Sequence, residues 1–524
     1  MHKSHPRGSL TLHKARLGDN FDSTRGLICP VSDQEYLSLV EEIFSVALEI
    51  ILSQKDTEFD VLIGDYRFLI SITQHLHMKA LHQACGRRRL ELVIDESQKK
   101  VLRPDWNKVG SEFQRTVGNG PRGRQWASVV LANLKSVSAF VGSSTGWPFG
   151  FPNALAIGKA DWMRSEYALK NSKRWIQSEP WLSLTDVRGI SSAADKYKIY
   201  FIGPFFDRIA DNVRELFDPA DFTEVFENWA KRLADAEAIY LHFLRKPKRF
   251  RSLLVNGGTN PLRKLMLLAY QRSGVSTAVF HHGNDFGGRV QKYGHIGEVS
   301  HCKNFICPTN SIARNYRRAY GDLSIEQRSG IRYLSTDSKY FANIYAACQV
   351  TNPGKYTQRA PIMLVGRPIN NGRLLDASGA FLLHKVQLER DLLKTLDAGG
   401  EKVIYKAHPD TAIFAQSLFA SLCQVLVEPI EKVYSEAKCL VFTTATSTAF
   451  GFALSTTIPI VLVEHDENLW QKGVEDKVGR RCALVRYSTS STGIAVISPD
   501  EIYSAIHKAY EKSSDETFVN TVMV

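Results

Sequence analysis

The 524-residue sequence lacks the short motifs that identify several common enzyme classes. No GxGxxG fingerprint, Walker A loop, HExxH motif or GxSxG elbow occurs in a suitable strand–turn–helix context. These absences argue against a dehydrogenase, a P-loop NTPase, a zincin and a serine hydrolase. The eight cysteines are scattered and no CxxC pair occurs, so we predict no metal site. Because no secretory leader is evident, we expect reduced thiols in a reducing compartment.

Long hydrophobic runs are also scarce. One uncharged run of 25 residues, 439–463, is nominally long enough to span a bilayer. It contains eight Ser or Thr residues, Gly451 and Pro459, and β-branched residues crowd both of its ends. This composition predicts a strand, a hydroxyl-rich loop, a short helix and a second strand. We therefore expect a cytoplasmic protein, attached at most peripherally to the inner face of the membrane, with residues 1–20 as a flexible basic arm.

Positive charge is in excess, because 66 Lys and Arg outnumber 54 Asp and Glu and leave a net charge of +12. This excess favours an anionic partner: nucleic acid, an anionic membrane surface or a phosphorylated substrate. The basic runs at 87–89, 245–251 and 314–318 lack the interleaved aromatic residues of single-strand binders. We therefore predict no nucleic-acid partner and retain an anionic membrane surface as a partner.

Short β-rich runs alternate with helical patterns along the chain, which favours parallel, doubly wound sheets. An amphipathic helix is predicted over Asp221–Arg245, and the polar stretch Thr351–Pro361 separates two series of strands. The first series is predicted at Phe59–Asp65, Leu90–Asp95, 138–144, Ile199–Gly203, Ser252–Gly258, Ser276–Gly283 and Asn304–Pro308. The second is predicted at Ile362–Gly366, Lys402–His408, Gln424–Glu428, Cys439–Phe442 and Ile458–Glu464. The predicted fold class is α/β, with two Rossmann-like domains facing a cleft: residues 1–350, a linker at 351–361, and residues 362–524.

Polar residues follow several strands of the second series, at the carboxyl ends where such sheets bind ligands. His408 and Pro409 end one strand, which also contains Lys406, and Glu428 and Arg367 end two others. A histidine at a strand end can donate a hydrogen bond to a phosphate, although a capped loop histidine is the plainer interpretation. We expect these strand ends to lie side by side along one edge of the sheet.

A cluster of hydroxyl side chains lies between a predicted strand and a predicted helix. Hydroxyls and free backbone N–H groups at the start of a helix can form a cradle for an anion. Ordinary N-capping would use only one such residue. The cluster contains Thr443, Thr444, Thr446, Ser447 and Thr448.

Two further strand ends and one carboxylate are candidates in the first series. Only one of the adjacent residues His281 and His282 should face the cleft, because neighbours on a strand point in opposite directions. Asp285 follows them, and Asp65 ends the predicted strand Phe59–Asp65. The turn before the next helix, with Pro261 suited to the first helical position, allows close approach of a ligand or is simply tight. That turn contains Asn256, Gly257, Gly258 and Thr259.

The order of a His-Pro strand end, a Glu-Pro after the next strand and a Ser/Thr cluster before a helix resembles one family. It is similar to the nucleotide-binding domain of bacterial GT-B glycosyltransferases that use CMP-activated acids, such as CMP-sialic acid and CMP-Kdo transferases of capsule and lipopolysaccharide assembly. The resemblance covers Leu253 to Val463 and implies contacts to the CMP phosphate from His408, Ser447 and Thr448. The His282–Gly283 strand end resembles that of capsule Kdo transferases and CDP-glycerol polymerases. The acidic motif of sialyltransferases is not evident.

The sequence thus predicts a glycosyltransferase that moves Kdo or a sialic-acid-like sugar from a CMP-linked donor to a glycan or glycolipid acceptor. It would need no cofactor beyond this nucleotide-sugar donor. The donor would lie on residues 362–524 and the acceptor would enter from residues 1–350. The candidate catalytic residues are Asp65, His282 and Asp285, which could activate the acceptor hydroxyl or attack the sugar. The alternatives are a CDP-glycerol-type phosphotransferase and a non-catalytic glycan or nucleic-acid binding module.

Overall fold

A computed structural model describes most of the chain. The described residues are 8–12, 30–106, 154–157, 175–177, 194–246, 248, 250–257, 260–281, 287–288, 293–336, 359–367, 379–409, 412–445, 447–465, 470–490 and 495–518. The strand predicted at 138–144 and most of the predicted linker therefore lie outside the described residues.

The N-terminal region is mainly helical. Its helices are α1 (Asp33–Ser53), α2 (Asp56–Gly64), α3 (Arg67–Arg87) and α4 (Glu96–Leu102). A capping box starts α1: the Ser32 hydroxyl accepts from the Glu35 N–H at 3.1 Å, and the Glu35 carboxylate accepts from the Ser32 N–H. Strand β1 (Gly8–Thr11) pairs in parallel with β2 (Leu90–Val93). Residues 8–11 are thus a strand and differ from the flexible arm expected at 1–20.

Two predicted strands are wrong, and both segments are helical. Phe59–Asp65 falls largely in α2, where every residue from Phe59 to Gly64 is buried. A buried helix and a buried strand both give an uninterrupted apolar run, so periodicity does not distinguish them. Ile199–Gly203 lies mostly in a π-helical turn, Lys198–Ile202. Ile199 is 76% exposed there whereas Phe201 and Ile202 are buried, so the segment has one inward-facing side.

Six of the described strands form an all-parallel sheet in the order β4-β3-β5-β6-β7-β8. The strands are β3 (Ala154–Ile157), β4 (Trp175–Gln177), β5 (Ser252–Asn256), β6 (Ser276–Phe280), β7 (Asn304–Cys307) and β8 (Arg332–Ser335). The helices are α5 (Ala194–Tyr197), α6 (Gly203–Arg208), α7 (Asp211–Arg214), α8 (Pro219–Arg245), α9 (Pro261–Arg272), α10 (Gly294–Glu298), α11 (Asn310–Tyr320) and α12 (Ser324–Ser329). The predictions of β5, β6, β7 and the amphipathic helix α8 are confirmed.

Seven strands form the second sheet, in the order β11-β10-β9-β12-β13-β14-β15. They are β9 (Ile362–Val365), β10 (Val403–Lys406), β11 (Gln424–Leu426), β12 (Cys439–Phe442), β13 (Ile460–His465), β14 (Ala483–Thr489) and the antiparallel β15 (Ala495–Val496). The helices are α13 (Gly379–Ala398), α14 (Ala412–Phe419), α15 (Ile430–Val433), α16 (Thr448–Leu454), α17 (Val474–Arg481) and α18 (Pro499–Lys512), with a 3₁₀ turn at Tyr434–Glu436. The first six strands have the 3-2-1-4-5-6 order of a Rossmann sheet.

The parallel six-stranded sheet and the seven-stranded sheet, parallel except for β15, confirm the predicted α/β class with two Rossmann-like units. The uncharged run 439–463 forms β12, a loop, α16 and most of β13, as its composition predicted. In the described part of the chain, no helix is long and apolar enough to cross a membrane. β8 ends at Ser335 and β9 begins at Ile362. We propose that the domain division lies in the predicted linker between these strands.

Candidate active site

The carboxyl edge of the second sheet contains a topological switch point. β9 is hydrogen-bonded to β10 on one side and to β12 on the other, so the chain leaves β9 in one direction and later returns on the opposite side. A crevice opens at such a point between the carboxyl ends of the two strands, and ligands bind there. Val365, near the end of β9, is in register with both Lys406 and Phe442. The segments after these three strands therefore start at the same level of the sheet.

Register brings four of the predicted donor-site segments to this edge. Arg367 follows β9, His408 follows β10, and Thr443 begins the hydroxyl cluster after β12. Lys406 is also paired with Leu426 of β11, so Glu428 lies at the same edge, one strand further out. The predicted side-by-side arrangement of strand ends is confirmed.

Glu389 of α13 is a buried carboxylate at this edge of the sheet, and it accepts hydrogen bonds from three parts of the chain. Its Oε1 accepts from the backbone N–H of Arg367 at 3.2 Å and from the Thr443 hydroxyl at 2.9 Å. Its Oε2 accepts from the Tyr405 hydroxyl at 2.8 Å. Glu389 is 2% exposed. This one side chain thus joins the segments after β9 and β12 to β10.

Burial raises the pKa of the Glu389 carboxyl, while the hydrogen bonds from Tyr405, Thr443 and Arg367 and the Arg367 charge lower it. The Tyr405 ring is stacked on Phe419 with centroids 4.1 Å apart. A Cβ on Gly366 would lie 1.8 Å from the Tyr405 hydroxyl oxygen, so only glycine allows this approach. The hydrogen-bonded groups around Glu389 are therefore tightly packed.

The basic side chains at the edge differ in exposure. Lys406 is 4% exposed and its ammonium donates to the carbonyl of Ala407. Burial lowers the pKa of Lys406, against the attraction of Glu431 and Glu428. Arg367 and His408 are half-buried, and Pro409 and Glu428 are exposed. Within the described residues the Arg367 Nε is buried and has no hydrogen-bond partner.

The hydroxyl cluster does not act as one unit. Thr443 donates to Glu389, and Thr444 is buried. The Ser447 hydroxyl accepts from the Phe450 N–H at 3.1 Å and so caps α16, as the plainer interpretation allowed. Thr448 is exposed at the first position of α16. Thr446 lies outside the described residues.

Asp65 does not end a strand. It follows the last turn of the helix α2 and is 2% exposed. Arg232 of α8 donates to it from Nε and Nη2, both at 2.5 Å. This buried two-point ion pair occupies both carboxylate oxygens and links α2 to α8. The expectation fails because the strand on which it depended is a helix.

Of the two histidines after β6, the structure describes His281. His281 is 2% exposed, and its Nε2 lies 3.0 Å from the Tyr316 hydroxyl oxygen. His282 and Asp285 lie outside the described residues.

The turn after β5 is described in part. Asn256 and Gly257 are half-buried, and Gly257 has a φ of +68°. Asn260 caps α9 by accepting from the Arg263 N–H at 3.2 Å, with Pro261 at the first helical position as predicted. Gly258 and Thr259 lie outside the described residues. The turn connects β5 to α9, and a role of these residues in binding a ligand stays a prediction.

Sequence reasoning missed Glu389, Tyr405 and Gln471. Glu389 occupies one position of an otherwise apolar stripe on α13 with alternating spacings of four and three residues: Leu382, Val386, Glu389, Leu393 and Leu396. A carboxylate in such a stripe is a readable signal for a buried polar group. Gln471, after β13, donates to backbone carbonyls after β6, and nothing in the local sequence indicates so distant a contact. Among the described residues, no group of His, Cys, Asp and Glu could hold a metal ion.

No protein-family model matches the chain, and no curated protein matches it significantly. Among solved structures, it is similar to a UDP-GlcNAc 2-epimerase of Methanocaldococcus jannaschii in complex with UDP-GlcNAc and UDP. The identity is 12%, the alignment covers 68% of this chain and 92% of the epimerase, and the TM-score is 0.34. MurG of Acinetobacter baumannii gives 11% identity, 75% and 94% coverage and a TM-score of 0.32. For Os79 of O. sativa, in complex with UDP and deoxynivalenol-3-glucoside, the identity is 10%, the alignment covers 74% of this chain and 91% of Os79, and the TM-score is 0.31. The fold assignment therefore depends on the strand order of this chain.

Proposed function

We propose that this chain is a glycosyltransferase whose nucleotide-sugar donor binds at the switch point of the second sheet. The observation that carries the proposal is the convergence of Arg367, His408 and the segment after Thr443 at the carboxyl ends of β9, β10 and β12. The unpartnered Arg367 Nε and the half-buried His408 are suitable donors to a phosphate oxygen. The Glu389 carboxylate is not among the phosphate contacts, because its oxygens already accept from three donors.

The chemistry follows from charge that develops during bond cleavage. When the bond between sugar and phosphate breaks, negative charge grows on the departing nucleotide phosphate. Donors fixed in advance at Arg367, His408 and Thr448 would stabilise that charge and so lower the barrier. With Asp65 removed from consideration, we propose His282 or Asp285 as the group that activates the acceptor hydroxyl.

The finer assignment comes from the motif resemblance. We propose a CMP-linked donor carrying Kdo or a sialic-acid-like sugar, and a glycan or glycolipid acceptor. The net charge of +12 favours attachment of the protein at an anionic membrane surface, near a lipid-linked acceptor. No cofactor beyond the nucleotide-sugar donor enters this proposal.

A nucleotide panel tests the donor assignment. The melting temperature is measured with CMP, CDP, UMP, UDP, GMP and AMP at equal concentrations, since a ligand that binds only the folded state raises it. The proposal predicts the largest rise with CMP. A larger rise with CDP, and release of CMP from CDP-glycerol during polymer growth, would replace the proposal with a phosphotransferase. Equal shifts with all nucleotides, or none, would remove the donor assignment.

A further inference from the structure

We propose that Glu389 is the positioning residue of the donor site: its ionised carboxylate holds the segments after β9 and β12 at the spacing that the donor requires. This inference rests on the proposed function, because it names the part of the same site that sets its shape. Glu389 is buried and its carboxylate oxygens are bonded to protein groups, so in this proposal it does not contact the donor itself. It acts through Arg367 and Thr443, to which it is hydrogen-bonded.

The first argument is the direction of the hydrogen bonds. The Arg367 backbone N–H can only donate, and it points at the carboxylate oxygen that also accepts from Thr443. An ionised carboxylate accepts all the bonds offered to it, whereas a protonated one carries a hydrogen that must itself be donated. The Tyr405 or the Thr443 hydroxyl could accept that hydrogen, but the hydrogen of that hydroxyl would then lose its buried acceptor. The arrangement therefore fits the charged form.

The second argument is location. Arg367 and Thr443 begin the two segments that border the crevice, and Glu389 Oε1 is bonded to both. The third partner, Tyr405, is packed between Phe419 and the backbone of Gly366. A change in the charge of Glu389 would thus be transmitted to β9, β10 and β12 together.

The groups that bear on the titration of Glu389 are few. The Arg367 guanidinium and the hydrogen bonds from Tyr405 and Thr443 favour the ionised carboxylate, and burial opposes it. Removing the Tyr405 hydroxyl withdraws one stabilising hydrogen bond and therefore raises the pKa of Glu389 further. If Glu389 positions the site through its charge, Tyr405→Phe should therefore move the pH dependence of CMP binding to higher pH. A purely structural role of Glu389 does not predict this upward shift.

The experiment measures the dissociation constant of CMP by calorimetry between about pH 5 and pH 9. It uses the full-length wild-type chain, Glu389→Gln, Tyr405→Phe and Asp391→Asn. Asp391→Asn is the matched control, because Asp391 lies on the same helix but is exposed. Titration of the CMP phosphate is common to all four proteins and cancels in the comparison.

We expect Glu389→Gln to bind CMP about tenfold more weakly at high pH, and to lack the component of the pH dependence that Glu389 contributes. Tyr405→Phe should bind CMP like the wild type at high pH. As the pH is lowered, its affinity for CMP should begin to fall at a higher pH than that of the wild type. Asp391→Asn should follow the wild type throughout.

Two results would overturn the inference. If the wild type binds CMP and Glu389→Gln binds it equally well at every pH, Glu389 does not position the site. This includes the case in which Glu389→Gln lowers the melting temperature but leaves the affinity for CMP unchanged. If the wild type binds no nucleotide, the proposed function fails and this inference fails with it. If Tyr405→Phe does not fold, the CMP affinities of Glu389→Gln and Asp391→Asn decide whether Glu389 positions the site.

Discussion

Gln471 is hydrogen-bonded to Gly288 across the two sheets. Its backbone N–H donates to the Gly288 carbonyl at 2.9 Å, and its side-chain amide donates to the carbonyl of Gly287. Gln471 follows β13 of the second sheet, whereas Gly287 and Gly288 follow β6 of the first. The segments that follow these two strands are therefore joined by a direct contact.

Each side of this contact is fixed in place by its own sheet. On the second sheet, the indole N–H of Trp470 donates to Glu464 at 2.6 Å, and Glu464 is ion-paired with Arg486 at 2.8 Å. On the first sheet, Gly287 is packed against the Tyr316 ring, and the Tyr316 hydroxyl is bonded to His281. The contact thus couples the second sheet to His281, which follows β6.

Gln471→Ala should destabilise the protein by about 1–3 kcal/mol, because it removes a hydrogen bond to the buried Gly287 carbonyl. Chemical denaturation measures the change in the free energy of unfolding. Lys472→Ala is the control, since Lys472 is the exposed neighbour. Equal stabilities for the two variants would show that the Gln471 side chain adds nothing to the contact.

Gly287→Ala should be more destabilising than Gly274→Ala. Both glycines have a positive φ, +61° and +79°, so both variants pay the backbone cost of about 1 kcal/mol. At Gly287 the new methyl group would also lie 2.7 Å from the Tyr316 ring, whereas at Gly274 it would meet nothing within 4 Å. The difference between the two unfolding free energies isolates the clash. No difference would mean that the segment after β6 moves freely away from Tyr316.

Asp65→Asn should cost about 3–5 kcal/mol of stability, because it leaves the Arg232 charge buried without its counter-ion. Replacing both residues, as in Asp65→Leu with Arg232→Met, should recover much of that loss. Activity per folded molecule should be unchanged in the double variant. A stable Asp65→Asn protein with abolished turnover would instead restore Asp65 as a catalytic residue.

The stability of the protein should depend on pH through Glu389. Burial raises the folded-state pKa of this carboxyl above its unfolded value, so its contribution to stability is present at low pH and is lost as pH rises through the folded pKa. Glu389→Gln cannot ionise. The melting temperature of Glu389→Gln should therefore rise relative to that of the wild type as pH increases. A constant difference across pH would show that Glu389 keeps one protonation state in the folded protein.

The second sheet was largely predictable because its strands are short β-rich runs bounded by turns, as at Ile362–Val365 and Cys439–Phe442. Their ends carry the candidate residues, and parallel pairing necessarily brings those ends to one edge. The N-terminal region was less predictable, since the run from Phe59 is buried on all sides and its length fits either a helix or a strand. Glu389 was missed for a different reason: its role depends on Arg367, Tyr405 and Thr443, which tertiary packing alone brings to it.

The donor site at the switch point is tested most directly by calorimetric titration of CMP into the wild type, His408→Ala and His465→Ala. Both histidines end or follow parallel strands of the same sheet, but His465 ends β13, away from the switch point, and its ring packs against Tyr487. The account predicts binding by the wild type and by His465→Ala. It predicts that His408→Ala weakens binding and lowers kcat/KM by roughly 10²-fold, with little loss of folding. Equal affinities for His408→Ala and His465→Ala would contradict the account.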